Sequence, residues 1–487
     1  MTKNIAVLGT GSDVGKSVVA AGICRILADR GVRVAPYKSQ NMSNNSGITL
    51  EGLEMGRAQI VQAEAAKILP HVDMNPILLK PTGEKQSQVI LNGLVHGNHT
   101  AMDYHQNKGF YFKKACEAFD RLSERYDRII LEGAGSCAEV NLMATDIVNF
   151  PMAEYAKADV VLTADIHRGG VFAQLVGTLD CLPDSYRDMV KGFIINRFRG
   201  DIALFKDGVD WIEKRTGKKV FGVLPWYTHF KIEAEDSVEI ENCCNLKDLD
   251  PKKPTIAVVR LPHIANFTDF HALSQIKGLQ TVFIDTPHNL SNFDAVILPG
   301  SKNTRADLAW LKKGFESALK KYHREKGHVL GICGGYQMLG SWVEDPQGLE
   351  GKPGQETGLG LLPIKTVLKA PKTTTLSEFE WEGTPGKGYE IHMGFTQLFS
   401  GRPFLKITSR NSTPCDEAEG CISEDNRVAG TYVHGFFDTP GISSKWFSMI
   451  GLTELVVEKE SMAERKEKDY DLLKAYLESH VDLGALY

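Results

Sequence analysis

The stretch that decides the fold is I-A-V-L-G-T-G-S-D-V-G-K-S, residues 5–17. Its first part, Ile5–Leu8, is an apolar run that predicts a buried strand, and the residues from Val18 to Arg30 have helical spacing. A glycine-rich turn between a strand and a helix directs backbone N–H groups and the positive end of the helix dipole toward one point. The stretch therefore predicts a phosphate-binding loop at the edge of a sheet.

The residues that close this motif carry its chemistry. We expect Gly11, Gly15 and Lys16 to contact the phosphates of a nucleotide and the Ser17 hydroxyl to bind Mg²⁺. The common first glycine of such loops falls at Thr10, so this loop is slightly longer than the usual form. The alternative is a glycine-rich turn with an incidental Lys-Ser pair. The order of strand, loop and helix favours the phosphate loop.

Outward from this loop, short apolar runs alternate with helix-like stretches. This alternation predicts βαβ units and mainly parallel sheets, that is, an α/β fold with two doubly wound domains. This alternation of runs and stretches occurs in two series along the chain. The segment between the two series is acidic at first and then rich in Pro and Lys, which predicts a linker. The expected organisation is a nucleotide-binding domain at 1–232, a linker at 233–253, a second α/β domain at 254–450 and a helical tail at 451–487.

Composition narrows the class of protein. A chain of 487 residues is too long for one hydrophobic core. Its 56 basic and 61 acidic residues give a net charge of −5, which predicts neither a nucleic-acid surface nor a membrane-surface patch. The sequence contains no run of 18 apolar residues, so it predicts no membrane span. The nine cysteines include no C-x-x-C pair, so a zinc site or disulfide framework is not expected, and the chain is interpreted as cytoplasmic.

A second polar site follows the strand predicted at 128–131. There the sequence reads L-E-G-A-G-S, residues 131–136. A carboxylate at the C-terminal end of a parallel strand is well placed to hold a metal beside a nucleotide, so Glu132 is a candidate Mg²⁺ ligand. The alternative is a capping glutamate before a tight turn, which the nearby phosphate loop makes less favourable.

The second domain contains a candidate nucleophile. Residues 328–340 read H-V-L-G-I-C-G-G-Y-Q-M-L-G, an apolar strand that leads through glycines into a helix-like stretch. This pattern is typical of a nucleophile elbow, and a thiol at a helix N-terminus has a lowered pKa. Cys333 is therefore the predicted nucleophile. The alternative is a buried core cysteine, but the flanking glycines disfavour it.

A nucleophilic thiol needs a base and an oxyanion hole. His434, in G-T-Y-V-H-G-F-F, ends another apolar run and is the predicted base. Residues 296–304, V-I-L-P-G-S-K-N-T, form a strand that ends in Pro-Gly-Ser. We expect the N–H groups of Gly300 and Gly334 to face the developing oxyanion.

These three pieces, in this order, resemble the class I glutamine amidotransferase family over residues 254–440. The resemblance implies that Cys333 hydrolyses glutamine through a thioester and passes ammonia to a partner site. The family's usual third member, a Glu two residues after the His, is Phe436 here. Either a Cys–His dyad suffices or another group, such as Asp438, orients the imidazole, and a weaker or partner-gated glutaminase is expected.

The N-terminal domain resembles ATPases of the dethiobiotin synthetase type, on its extended loop and its E-G-A-G sequence. That resemblance implies ATP as the nucleotide. It also implies that Asn196, in K-G-F-I-I-N-R-F, contacts the adenine and that the glycine of F-G-V-L-P (221–225) lies nearby. An ATPase joined to an amidotransferase implies amide synthesis, because a carboxylate must be activated before ammonia attacks it.

Further motifs point to the acceptor. Their order closely resembles the cobyric acid synthase family over most of residues 3–450, on K-S-Q-N-M-S (38–43), E-M-G-R-A-Q (54–59), M-N-P-I-L-L-K-P (74–81), S-Q-V-I (87–90), A-D-I-H-R-G-G-V-F (164–172) and G-F-I-I-N-R-F-R-G-D (192–201). The resemblance implies amidation of the b, d, e and g carboxylates of (adenosyl)cobyrinic acid a,c-diamide. The expected partners are this corrinoid, glutamine and ATP.

The same resemblance implies substrate-side roles for a set of polar residues: Lys38, Gln40, Asn41, Arg57, Lys80, Asp165 and Arg168. Glu54 is a further metal candidate. Two rival interpretations remain. One is a ligase of the same architecture that amidates the a and c carboxylates of cobyrinic acid. The other is a partition-type switch ATPase fused to an inactive amidotransferase domain.

Overall fold

The computed structural model describes residues 4–83, 86–233, 246, 249–482 and 484. It contains two α/β regions, each built on a six-stranded sheet with helices on both faces. We refer to residues 4–233 as the N-terminal region and to residues 249–450 as the C-terminal region. The predicted fold class, with mainly parallel sheets, is confirmed.

The large sheet of the N-terminal region has the strand order β12-β11-β10-β1-β9-β2, and all its pairs are parallel. Its strands are near-continuous apolar runs because both faces are covered. A mixed sheet, β3-β6-β7-β8, and the pair β4-β5 lie outside it. The strands of this region are β1 (Ile5–Gly9), β2 (Val34–Tyr37), β3 (Gln40–Met42), β4 (Ser46–Ile48), β5 (Glu54–Gly56), β6 (Ile77–Gly83), β7 (Gln86–Leu91), β8 (Leu94–Thr100), β9 (Arg128–Glu132), β10 (Asp159–Asp165), β11 (Val190–Phe198) and β12 (Lys219–Pro225).

The large sheet of the C-terminal region has the order β14-β13-β15-β16-β26-β25, in which only the edge strand β25 is antiparallel. Two smaller sheets, β18-β17-β19-β22 and β24-β23-β20-β21-β27, complete the region. Its strands are β13 (Thr255–Val259), β14 (Gln280–Ile284), β15 (Ala295–Leu298), β16 (His328–Ile332), β17 (Trp342–Asp345), β18 (Gly354–Thr357), β19 (Ile364–Val367), β20 (Thr373–Trp381), β21 (Thr384–His392), β22 (Phe395–Leu398), β23 (Leu405–Arg410), β24 (Thr413–Glu419), β25 (Cys421–Ile422), β26 (Val428–Thr431) and β27 (Val433–His434).

The helices cover the faces of these sheets. In chain order they are α1 (Lys16–Asp29), α2 (Arg57–Ala65), α3 (Ala101–Gln106), α4 (Lys108–Arg125), α5 (Phe150–Tyr155), α6 (Val171–Cys181), α7 (Asp184–Met189), α8 (Lys206–Thr216), α9 (His271–Ser274), α10 (Thr304–Gly314), α11 (Glu316–Arg324), α12 (Gly334–Leu339), α13 (Pro440–Met449) and α14 (Met462–His480). None of the helices in the described residues is long and apolar enough to cross a bilayer.

The last helix, α14, returns to the N-terminal region and packs on α1. A Cβ on Gly22 would lie 1.8 Å from Leu477 Cδ1, so the glycine lets the two helices approach closely. The buried guanidinium of Arg25 forms ion pairs with Glu467 and Asp471 at 2.8 and 2.7 Å. The chain therefore ends by covering the helix that follows the phosphate loop.

The predicted linker, 233–253, falls largely outside the described residues, which omit 234–245, 247 and 248. Its first residue, Glu233, is buried and accepts ion pairs from Arg57 at 2.7 Å and Lys466 at 2.9 Å. The beginning of this segment is thus tied to both α2 and α14.

The two regions touch along a polar interface. Lys372 of the C-terminal region pairs with Glu54 of the N-terminal region at 2.6 Å, and the Thr374 hydroxyl donates to the Gly52 carbonyl at 2.6 Å. Asn303 Nδ2 donates to the Thr82 carbonyl at 3.1 Å. These contacts bring the edges that carry the polar loops toward each other.

Candidate active site

Cys333 stands at the sharp turn between β16 and α12. Its backbone is strained, with φ 51° and ψ −110°, a conformation that non-glycine residues keep only when the surroundings enforce it. The neighbouring glycines are required by space. A Cβ on Gly331 would lie 2.7 Å from the Tyr336 nitrogen, and one on Gly335 would lie 2.0 Å from the Leu298 oxygen. The sequence G-I-C-G-G therefore folds as a nucleophile elbow.

His434 ends β27 and is held by two neighbours. It pairs with Tyr389 of β21 in the antiparallel register. Its Nδ1 lies 2.7 Å from Asp269 Oδ2, and the adjacent Gly435 N–H donates to Asp269 Oδ1 at 2.9 Å. Asp269 thus fixes the orientation of the imidazole and directs Nε2 away from itself.

The sequence-based suggestion that Asp438 orients the imidazole is wrong. Asp269, in a short 3₁₀ turn at Phe267–Phe270 after β13, occupies that role. Asp438 is instead a buried carboxyl whose pKa is raised by burial to about 7. The signal that could have found Asp269 is its place after the first strand of the second sheet, because the carboxyl ends of parallel strands meet at one edge.

The charge state of His434 follows from its surroundings. Burial alone would lower its pKa, but the Asp269 carboxylate and the Cys333 side chain raise the pKa to about 10. Among the described atoms, His434 Nε2 has no hydrogen-bond partner, and the Cys333 thiol donates to the Ile391 carbonyl at 3.3 Å. Both side chains line the same small pocket, an arrangement that suits a thiol and its base.

The predicted oxyanion groups lie beside this pair. A Cβ on Gly334 would lie 2.8 Å from the Ser301 nitrogen, so the loops that follow β15 and β16 are in contact. A Cβ on Gly300 would lie 3.2 Å from His434 Cε1. The structure thus places Gly300 against His434 and Gly334 against the residue that follows Gly300, and their role as oxyanion donors stays a prediction.

A small pocket opens at the thiol, and both regions line it. Cys333, His434 and Gly300 face it from the C-terminal region, together with Lys302, Glu350 and Lys372, and Lys80 faces it from β6 of the N-terminal region. Sequence reasoning assigned Lys80 to the acceptor substrate, whereas the structure places it beside the thiol. A site that uses the thiol is therefore built in part by the nucleotide-binding half of the chain.

Glu54 is not placed as a metal ligand. One of its oxygens accepts Lys80 Nζ at 2.6 Å, and the other accepts Lys372 Nζ at 2.6 Å. Burial opposes ionisation, but the two ammonium groups hold the pKa of this carboxyl well below its usual value. Two ammonium groups in contact with this carboxylate neutralise it and would repel a cation, so its contacts do not support the metal role predicted from the sequence.

The phosphate loop carries its own cluster of charged groups. Lys16 Nζ donates to the carbonyls of Gly11 at 2.8 Å and Gly135 at 3.0 Å. Ser17 Oγ donates to Glu132 Oε1 at 2.9 Å, and Lys38 Nζ donates to the same oxygen at 3.0 Å. The structure thus brings together the loop, the carboxylate of the last residue of β9 and the lysine after β2, at one edge of the sheet.

Glu132 is buried and ionised. Burial favours its neutral form, but Lys38 and the Gln62 amide, which donates to Oε2, lower the pKa of the carboxyl below its usual value. A serine hydroxyl and a carboxylate in contact beside a phosphate loop suit Mg²⁺, which takes one or two protein ligands together with phosphate oxygens. In the described residues no group of three or more His, Cys, Asp or Glu side chains is placed to hold a metal.

The side chain of Asn196 lies under the phosphate loop. Gly15 has φ +101°, and a Cβ there would lie 2.0 Å from Asn196 Nδ2, so the glycine and the amide fit together. Nδ2 donates to the Val14 carbonyl at 3.0 Å, and an adenine contact stays a prediction. Gly222 of β12 packs instead against α14, since a Cβ there would lie 2.3 Å from the His480 oxygen.

The remaining predicted substrate residues make internal contacts. Gln40 accepts a hydrogen bond from the Tyr104 hydroxyl at 2.7 Å, and Asn41 donates to Gln59 at 3.2 Å. Arg57 is engaged by Glu233, as described above. In a second group near the nucleotide edge, Asp165 pairs with Arg197 at 2.9 Å and Arg168 is exposed. The substrate-side roles of these residues stay predictions.

Family models match both halves of the chain. Residues 5–239 match the CobQ/CobB/MinD/ParA nucleotide binding domain, and residues 255–441 match the CobB/CobQ-like glutamine amidotransferase domain. The fold, the phosphate loop and the Cys333–His434–Asp269 arrangement therefore define a nucleotide-binding domain joined to a glutamine amidotransferase domain.

Relatives of full length narrow this class. The chain is 47% identical to "Cobyric acid synthase" of Chlorobium phaeobacteroides (strain BS1), over 100% of this chain and 98% of that protein. It is 49% identical to the protein of the same name from Chlorobaculum tepidum, over 91% and 90%, and 45% identical to that of Salmonella arizonae, over 100% and 98%. The chain belongs to the cobyric acid synthase family, as the motif order predicted.

Proposed function

We propose that the protein is an ATP-dependent ligase that amidates the b, d, e and g carboxylates of (adenosyl)cobyrinic acid a,c-diamide with nitrogen from glutamine. The observation that carries the proposal is the pocket at Cys333, because Lys80 of the nucleotide-binding half lines it together with the thiol. A glutaminase built for hydrolysis alone has no need of a synthetase residue in its pocket. The name shared by the relatives supports the choice of acceptor.

In the glutamine half-reaction, the Cys333 sulfur attacks the side-chain carboxamide of glutamine. His434 takes the proton of the Cys333 thiol and gives it to the leaving nitrogen, and ammonia departs as the thioester forms. The N–H groups of Gly300 and Gly334 stabilise the oxyanion. Water then attacks the thioester, with His434 as the base, and releases glutamate. Asp269 is a positioning residue that keeps the imidazole in the productive orientation.

In the synthetase half-reaction, a corrinoid carboxylate attacks the γ-phosphorus of ATP, and ADP leaves. Lys16 neutralises the charge that develops on the transferred phosphoryl group. Ammonia then attacks the acyl phosphate carbon, and phosphate leaves with the formation of the amide. Ser17 and Glu132 are the residues that would hold Mg²⁺, which supplies charge neutralisation at the phosphates when it is bound.

The decisive experiment follows the mass of the corrinoid. The purified protein is incubated with ATP, Mg²⁺, glutamine and the a,c-diamide, and products are read by mass spectrometry. We expect successive acid-to-amide changes up to four, one ADP for each amide. Amidation of cobyrinic acid at the a and c positions, with the diamide left unchanged, would instead indicate the rival ligase. ATP turnover without any amide would contradict the proposal.

A further inference from the structure

The pocket at Cys333 contains a charged pair that the half-reactions above leave unused. Lys302 follows Ser301 in the loop after β15, and Glu350 follows β17. Both side chains line the pocket that opens at the thiol. Lys302 is 8% exposed, and its ammonium group makes no hydrogen bond or ion pair with any side chain in the described part of the chain. An ammonium group that is nine-tenths buried and in direct contact with no carboxylate points to a ligand.

The charges around Lys302 indicate the sign of that ligand. Lys80 and Lys372 share the single carboxylate of Glu54, at 2.6 Å each, and Lys302 adds a third ammonium group to the same pocket. Burial, and after it the ammonium groups of Lys372 and Lys80, lower the pKa of Lys302 to about 7. Among the described residues of this cluster, Glu54 is already bound by Lys80 and Lys372, so Lys302 is the ammonium group left to bind an anionic group of a ligand.

Glu350 is held in a fixed position nearby. The Thr304 hydroxyl donates to its Oε1 at 3.3 Å, and the Arg305 N–H donates to its Oε2 at 3.3 Å. The same hydroxyl lies 3.1 Å from its alternative acceptor, Gln337 Oε1, on the helix that begins at the elbow. Burial raises the pKa of Glu350 to about 7, and a cationic partner would restore its charge. The pocket therefore presents one cationic and one anionic group beside a nucleophile.

We propose that Lys302 binds the α-carboxylate of glutamine and that Glu350 binds its α-ammonium group, so that the side-chain amide is delivered to Cys333. This assignment rests on the proposed glutaminase function and adds the residues that select glutamine from other primary amides. A zwitterionic amino acid meets both charges at once. An amide that lacks either charge leaves one buried group without a partner, which is how such sites reject analogues.

The test compares glutamine with two analogues that each lack one charge. Glutaminamide carries a neutral carboxamide in place of the α-carboxylate, and glutaramate lacks the α-amino group. We expect the wild-type protein to hydrolyse each analogue with kcat/KM about 100-fold or more below that for glutamine, the usual loss when one partner of a buried charge pair is removed. Equal use of glutamine and glutaminamide by the wild type would overturn the assignment without any variant.

Two variants then locate the recognition. Lys302→Met should lower kcat/KM for glutamine about 100-fold, chiefly through KM, and bring it near the value for glutaminamide. Glu350→Gln should do the same for glutamine relative to glutaramate. Lys302→Arg keeps the charge and should keep the preference for glutamine. Lys313→Met, on the exposed face of α10, is the matched control and should behave as the wild type.

The outcomes separate this inference from the proposed function. If Lys302→Met still prefers glutamine over glutaminamide as strongly as the wild type does, the lysine is not the carboxylate partner. If Cys333→Ala hydrolyses glutamine normally, the glutaminase assignment itself fails. An inactive Cys333→Ala protein together with an unchanged preference in Lys302→Met would overturn the recognition pair and leave the amidotransferase standing.

Discussion

The thiol site and the phosphate-loop site hold their reactive groups in different ways. At the thiol site, the backbone fixes the nucleophile, since Cys333 has φ 51° and its neighbouring glycines exclude side chains. At the phosphate loop, Lys16, Ser17, Lys38 and Glu132 bind one another or backbone carbonyls through side chains. The covalent nucleophile is thus positioned by a strained backbone. The phosphate-binding groups are positioned by side-chain hydrogen bonds, which a bound nucleotide can replace.

The substitution Cys333→Ala should separate the activities of the two sites most clearly. We expect glutamine-dependent amidation to fall by at least about 10⁴-fold, because no other group can form the thioester. Amidation with added ammonium salt should continue, since the phosphate-loop site is untouched. Both rates are measured by corrinoid mass and by ADP release. Cys415→Ala, a half-buried cysteine on β24, is the matched control, and glutamine use by the Cys333 variant would break the comparison.

Lys16→Ala tests the other site. The loss of the phosphate-binding ammonium group should lower amidation about 10³-fold with either nitrogen source, a cost typical of one lost electrostatic donor or somewhat more. The measurement is again amide formation with glutamine and with ammonia, in parallel. Lys206→Ala, at the exposed start of α8, is the matched control, because it removes the same charge as Lys16→Ala does. A variant that fails with glutamine only would show that Lys16 does not serve the synthetase step.

What could be predicted from the sequence is what lies close together along the chain. The phosphate loop and the Cys333 elbow are each a strand, a turn and a helix in consecutive residues, so glycine positions and apolar runs define them. Asp269 could not be assigned in this way, because it lies 165 residues from His434 and meets it only through the order of parallel strands. Proximity in sequence therefore favours Asp438, which follows His434 closely along the chain.

The ion pairs between the two regions could not be predicted for the same reason, because their members lie far apart in the sequence. Glu54 suggested a metal ligand because a carboxylate beside a polar motif is ambiguous by itself. Its partners, Lys80 and Lys372, come from β6 and from the other region, 318 residues away for Lys372. The fold class and the family were predictable from motif order, whereas the substrate-side roles of individual residues stay predictions.

Glu54→Gln tests the buried ion pairs that join the two regions between the two sites. Removing the carboxylate leaves two buried ammonium groups without their partner, so we expect the free energy of unfolding to fall by about 3 kcal/mol. Denaturant-induced unfolding followed by far-UV circular dichroism measures it. Glu378→Gln removes the partner of the exposed Lys387 and should cost less than about 1 kcal/mol. Equal losses in the two variants would contradict a buried interface pair.

The smallest expected effect concerns pH and the imidazole of His434. Its pKa in the folded protein is raised to about 10, above the ordinary value of about 6.5 in the unfolded chain. A raised pKa contributes stability that is fully present below about pH 6.5 and is lost as the pH rises toward 10.

Asp269→Asn removes the carboxylate that raises this pKa, so the stability difference from the wild type should be about 1–2 kcal/mol at pH 6 and shrink toward pH 10. Unfolding curves at pH 6, 8 and 10 measure this difference. Asp438→Asn is the comparison variant, because its carboxylate is not the hydrogen-bond partner of His434 Nδ1. The pKa of Asp438 is itself raised to about 7, so the interval from pH 8 to 10 is the one that reports on His434. If Asp438→Asn and not Asp269→Asn removed the pH dependence, the imidazole would depend on the residue that sequence proximity suggested, and the long-range arrangement at the thiol site would be wrong.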